Sequence, residues 1–246
     1  MAPLLKIVFI LSNLSFLYGE ELNLIDIIRD VETQHLARTS YAKTRMIIKK
    51  RSWSREMVMS MYGEGRDKFL ARIEEPVKDR GLTSLKIKQE MWNYMPNIDR
   101  TMKVPSSLMG DSWMGSHFTN DDLIKGDKIE ELYSLKSTRK QTDLALIEAM
   151  PKPDSAVVWG KILYHIKLPE KVATEVEYFD EDFVLVRKMI LEGFREMEGR
   201  LIPMQMRIVP IDSPEESTTV IYEDLQLNLP LDSRMFSVQA LKRRKN

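Results

Sequence analysis

Tyr41-Ala-Lys-Thr-Arg-Met-Ile-Ile-Lys-Lys50 and, after a short break, Arg55-Glu-Met-Val-Met-Ser-Met-Tyr62 set the reading of this chain. In the first stretch Ala42, Thr44, Met46 and Ile48 fall on one side, and Lys43, Arg45 and Lys49 on the other. That is the two-residue period of a strand with one face buried. In the second, Met57, Met59 and Met61 share a side. The alternation continues through Phe69, Ala71 and Ile73, set against Lys68 and Arg72, then through Thr83, Leu85 and Ile87 into Met91-Trp-Asn-Tyr-Met95. Turn residues punctuate it at 63–65, 76–81 and 96–99. Upstream the period is 3.6 instead. Asn23 is placed to cap a helix whose face carries Leu24, Ile28, Val31 and His35, widened by Ile25 and Ile27, with Asp26 in its first turn. Downstream, strands are expected over 144–150, 157–168, 174–179, 183–191, 201–209 and 218–227, with Asp180-Glu-Asp182 as a hairpin turn. The total is about ten or eleven strands, spaced as in a large antiparallel sheet, barrel or sandwich. No linker divides them, so residues 20–246 are read as one domain.

Two segments break the pattern. Residues 1–19 place Lys6 before the apolar run Ile7-Val-Phe-Ile-Leu-Ser-Asn-Leu-Ser-Phe-Leu17 and end at Gly19, the order of a secretory signal peptide cut after Gly19. The mature protein is therefore expected in the periplasm of a cell with two membranes. The other segment, residues 105–123, shows little alternation. It mixes Gly110, Gly115 and four serines with Leu108, Met109, Trp113, Met114 and Phe118. Small residues suit movement and the apolar ones need cover, so this stretch is expected to be a movable lid hinged at Gly110 and Gly115.

Composition removes much chemistry. Lys plus Arg and Asp plus Glu each total 37, which leaves no electrostatic footprint for nucleic acid. There is no cysteine, and the three histidines, His35, His117 and His165, are scattered, so no metal or cofactor is expected. Ser106, Ser107, Ser112 and Ser116 lie near His117 and Asp111, Asp121 and Asp122, but adjacent Ser116 and His117 would point to opposite faces of a strand. No G-x-S-x-G elbow is present. A lipid hydrolase is the weakest reading, and no enzyme activity is expected. Methionine is the unusual quantity: 16 residues against 8 Phe and 8 Tyr. Flexible, polarizable methionines suit a surface that fits varied apolar shapes. Met46, Met57, Met59, Met61, Met91, Met95, Met204 and Met206 are therefore the candidate lining of an apolar cavity.

The block Trp92-Asn-Tyr-Met-Pro96, Arg100-Thr-Met-Lys103, Met109-Gly110 and Trp113-Met-Gly-Ser-His-Phe-Thr-Asn-Asp-Asp-Leu123 resembles the LolA-like outer-membrane lipoprotein-sorting proteins. Their pattern is an aromatic-rich W-x-Y-x-P, basic residues, then S-F-M-G-S-x-F-(S/T)-x-x-D-L. Met114, Gly115, Ser116, Phe118, Asp122 and Leu123 match it, and Trp113 stands for the Phe. Lys78-Asp-Arg-Gly-Leu82 and Leu231-Asp-Ser-Arg-Met-Phe-Ser237 resemble the family's strand entry and its ending. The resemblance implies a half-open antiparallel β-barrel covered by helices and loops. It implies a carrier of lipoprotein acyl chains or other lipids toward the outer membrane, with an inner-membrane transporter and an outer-membrane acceptor as partners. A lipid sensor or adaptor for a membrane transporter is the alternative. Carriers of this kind close their lid with a strand arginine, and no motif match selects Arg45, Arg51, Arg55 or Arg72 for that part.

Overall fold

The computed structural model describes residues 23–140 and 143–242, so the leader read at 1–19 lies outside the described residues. The described residues open with helix α1 (Leu24–Thr33). Asn23 caps it, its side chain accepting from the Asp26 amide at 3.3 Å. The buried stripe runs through Ile27, Ile28 and Val31, and Ile25 is exposed.

Among the described residues, thirteen strands then form one antiparallel sheet. The first six are β1 (Thr39–Lys49), β2 (Ser54–Glu64), β3 (Lys68–Glu75), β4 (Thr83–Ile87), β5 (Glu90–Met95) and β6 (Arg100–Lys103). The rest are β7 (Tyr133–Lys140), β8 (Leu144–Pro151), β9 (Lys161–Lys167), β10 (Val172–Phe179), β11 (Leu185–Met197), β12 (Arg200–Pro210) and β13 (Ser217–Leu227). The order across the sheet is β6-β5-β4-β3-β2-β1-β13-β12-β11-β10-β9-β8-β7. Each half is a meander of neighbouring hairpins, and the first strand pairs with the last along Ser40↔Leu227 to Lys49↔Ser217. The barrel stays half-open, because β6 and β7 are its two edges and do not pair.

The expected strands are present, and the sheet has two more. Both additions are the edges. Arg100-Thr-Met-Lys103 is short and charged, while Tyr133-Ser-Leu-Lys-Ser-Thr-Arg-Lys140 has no regular apolar side, so neither announces itself by periodicity. Blunt, charged edges of this kind resist edge-to-edge association. The strand expected over 157–168 begins only at Lys161, because Val157 to Gly160 complete a loop that brings Trp159 inward.

β6 and β7 are consecutive in the chain yet lie at opposite edges, so the segment joining them crosses the concave face. It carries short turns and two small helices, α2 (Asn120–Lys125) and α3 (Ile129–Leu132). Thr119 and Asp122 start α2 with a reciprocal capping box, at 3.1 and 2.7 Å. The convex face is also covered in one place. Phe236 and Leu241 of the C-terminal strap pack on Leu70 and Leu85, flanked by Tyr62, Trp92 and Tyr94. Phe236→Ala is expected to lower the unfolding free energy by about 3–5 kcal/mol, the usual cost of emptying a buried aromatic site, as read from urea denaturation.

Candidate functional site: a lid-covered cavity

Two apolar clusters cover the concave face. One joins α1, Ile129 and Tyr133 to the inward side chains of β8–β11. The other joins the lid, through Val104, Trp113 and Ile124, to β1, β2, β3, β5 and β13. Met206 on β12 packs against both, so the clusters meet over the middle of the sheet. There they leave a cavity of about 260 Å³. Val31 and His35 line it from α1 and its exit, Met61 and Met206 from the sheet, and Trp113, Phe118 and Leu123 from the lid. Trp159, Tyr164, Tyr178, Met189 and Leu191 close the far side.

The candidate methionines divide between three places. Met61 and Met206 line the cavity. Met46, Met57, Met59 and Met91 lie fully buried beneath the lid, packed with Trp113 and Ile124. Met204 packs with Ala42, Ile202 and Leu225, and Met95 is half-buried near the end of β5. Of the motif residues, Trp113, Phe118, Asp122 and Leu123 reach the cavity, while Met109 and Met114 pack within the lid cluster. Trp92 points to the convex face, under the C-terminal strap, and Pro96 opens the turn after β5. Met114 and Gly115 both take positive φ, at 53° and 77°, which gives the lid a left-handed kink; Gly110 has no such conformation. Trp113 Nε1 donates to Ser84 Oγ at 3.0 Å and pins the kink to β4.

The lid is also held by a buried ion pair. Arg187 Nη2 donates to both oxygens of Asp122, at 2.7 and 2.8 Å, and Nη1 donates to the His117 carbonyl. The arginine side chain is only 4% exposed. Its guanidinium sits 4.3 Å from the ring centres of both Trp159 and Tyr178, an arrangement that favours a desolvated cation. Trp159 Nε1 donates to Asp122 as well, at 3.0 Å. Asp122 thus joins α2, β11 and the loop before β9. Next to it, burial raises the pKa of Asp121, opposed by Lys125 at 2.6 Å. A second network anchors α1: buried Glu130 on α3 accepts from Arg29 at 3.3 Å and from Arg66 at 2.9 Å.

Sequence reading passed over Arg187, although a signal was present. Arg187, Met189 and Leu191 are two apart and share a face, so an arginine stands in an apolar row. Trp159 and Glu130 lie in irregular or one-turn segments and offered no comparable signal.

The serine, histidine and aspartate neighbourhood is otherwise engaged. Ser116 Oγ accepts from the Phe118 amide at 3.1 Å. The His117 ring bonds Thr218 Oγ1 at 2.8 Å and Lys50 Nζ at 2.7 Å, and burial lowers its pKa. Asp180 caps the β10–β11 turn through the Asp182 and Val184 amides, at 3.0 and 2.8 Å. Among the described residues, His165, Glu175 and Glu177 form the one cluster with donors for a metal ion. Lys188 Nζ stands against both carboxylates at 2.9 and 2.7 Å, where a cation would sit.

A family model described as "Uncharacterized protein" matches residues 65–243. The chain belongs to this family. No curated protein matches it. Among solved structures, it is similar to a domain assigned to outer membrane lipoprotein sorting from Vibrio parahaemolyticus, at 20% identity and a TM-score of 0.79, over 89% of this chain and 98% of that one. A DUF1329 family protein from Desulfovibrio piger superposes with a TM-score of 0.80 at 18% identity, over 88% and 98% of the two chains. A LolA superfamily protein from Nitrosomonas europaea gives 0.72 at 15%, over 87% and 97%. The fold of this family member is therefore LolA-like, as the motif resemblance implied.

Two outcomes are expected. Arg187→Met leaves Asp122 without its counter-ion and should cost about 3–5 kcal/mol, with Asp122→Asn on top restoring part of it. Amide exchange across the lid should quicken in the single variant. His35 is held down to about pKa 4, first by burial and then by Lys86 and Arg200. The unfolded chain binds a proton near the ordinary imidazole value of 6.5 that the folded chain refuses, so stability should fall as pH drops from 6.5 toward 4. Urea midpoints across that range should decline less steeply in His35→Leu.

Proposed function

We propose that the protein is a non-covalent carrier that takes an alkyl chain into its cavity during lipid or lipoprotein transfer in the periplasm. The observation that carries the reading is an apolar chamber roofed by a segment that one buried ion pair and apolar contacts hold in place. Such a roof can be lifted without unfolding the sheet, because the sheet's own ladder is complete without it. A mostly apolar chamber of about 260 Å³ suits an alkyl chain. At ~0.8 kcal/mol per buried methylene, a chain of about eight to ten would gain roughly 6–8 kcal/mol before ordering costs, enough for useful but reversible binding. Reversibility is what a carrier needs.

The four tryptophans provide the test. Trp113 and Trp159 line the cavity, whereas Trp53 is exposed at a turn and Trp92 lies on the convex face. A lysolipid with a brominated acyl chain should quench emission in the wild type and in Trp53→Phe/Trp92→Phe. Quenching should diminish in Trp113→Phe, and Met206→Gln should weaken binding. An absence of quenching, or quenching that disappears with Trp53 and Trp92, would remove the carrier reading.

A further inference from the structure

The two rims of the half-barrel differ where the strands turn. Five hairpin turns share one rim: 50–53 (β1–β2), 76–82 (β3–β4), 96–99 (β5–β6), 180–184 (β10–β11) and 211–216 (β12–β13). Each holds a large apolar side chain out in solvent. These are Trp53, Val77, Ile98, Phe183 with Val184, and Ile211, between 43% and 75% exposed. Val186 is exposed beside Ile211, whose amide donates to the Val186 carbonyl at 2.9 Å. The sixth connection on this rim, 152–160, packs Val157, Val158 and Trp159 against the core instead. The turns of the other rim, at 65–67, 88–89, 168–171 and 198–199, expose no large apolar side chain. The remaining exposed ones are scattered: Ile25 on α1, Met102 on the edge strand β6, Leu108 in the lid and Leu144 at the start of β8.

Neighbouring hairpins are two strands apart, so the tips follow one another at about 10 Å, twice the ~4.8 Å strand spacing. Charged residues stand between them: Lys50 and Arg51 precede Trp53, and Lys78, Asp79 and Arg80 follow Val77. A protein interface gathers its apolar side chains into a central patch. A row of single tips suits a fluid interface, which closes around each one separately, and a tryptophan favours that depth. Phe183 even takes a φ of 61°, a strained conformation for a bulky residue, without being buried in return.

Charge decides which fluid surface. Arg51 pairs with Glu215 at 2.8 Å, Lys50 with Glu216 at 3.1 Å, Arg55 with Asp79 at 2.8 Å and Lys242 with Asp99 at 3.2 Å. With those pairs set aside, the five turns hold Lys78 and Arg80 against Asp180, Glu181, Asp182 and Asp212. A strongly anionic surface would repel such a rim, and a zwitterionic one would not.

We propose that this rim docks on a zwitterionic lipid surface, with Trp53, Val77, Ile98, Ile211 and Phe183 entering the head-group layer. The proposal goes beyond the carrier reading, because docking does not require the cavity to take a lipid.

Co-sedimentation with dioleoylphosphatidylcholine vesicles tests it. Wild type should sediment with the vesicles, and Val77→Asp/Ile98→Asp should partition about tenfold more weakly, the scale of losing one or two apolar side chains from the interface. Both positions are exposed, so the urea midpoint of that variant should match wild type. Met206→Gln, altered in the cavity, should sediment like wild type. Replacing half of the lipid with phosphatidylglycerol should weaken binding. Stronger binding to phosphatidylglycerol, or a rim variant that sediments like wild type, would overturn the docking rim and leave the carrier reading to its own quenching test. Wild type that stays in solution overturns it too, and a dimer that dissolves in the rim variant would then assign the rim to a second copy of the chain.

Discussion

Two strands that follow one another in the chain lie at opposite edges of the sheet, and most of what is distinctive here depends on that. β6 and β7 are separated by eleven other strands, so residues 104–132 have to travel the width of the half-barrel. A connection of that length cannot lie on solvent-exposed backbone alone without leaving its apolar side chains uncovered. It buries Trp113 and Ile124 against the sheet and makes its turns from glycine and serine. The lid is thus the crossover that the strand order requires.

The Arg187–Asp122 pair then fixes where the crossover rests. A buried ion pair adds little net stability against an apolar replacement, because desolvation consumes most of the attraction. Its value here is positional. The guanidinium between Trp159 and Tyr178 admits the carboxylate in one place, and Asp122 in turn starts α2. The same chemistry repeats on the other side of the chamber, where Glu130 ties Arg29 to Arg66. Apolar contacts supply the adhesion, and the two buried acids supply the register.

Much of this was legible in the residues and some was not, for physical reasons. The period-two runs located the central strands because each has one buried face, as in Ala42, Thr44, Met46 and Ile48. β6 escaped because it is short and charged, and β7 because its residues after Leu135 are all polar, which erases the period. The methionine rows lie on the face that the lid covers, but composition does not separate a wall from a floor. Met46, Met57 and Met59 lie beneath the lid, while Met61, one step further along the same row, meets the void. Arg187 was visible as a charge in an apolar row. His35 was read on the apolar face of the first helix, but Gln34 was not, since a residue at a helix exit is ordinarily solvated.

One further consequence follows from the sheet being left unclosed. The circumference of a complete barrel is fixed by strand number and stagger, so its bore cannot change without breaking the ladder. Here β6 and β7 share no hydrogen bonds, and the twelve strand pairings that exist run unbroken from one edge to the other. The segment between those edges crosses the concave face and is held to the sheet by its own contacts. An open sheet leaves the separation of its two edges free of that constraint, so strand number and stagger alone do not fix its width.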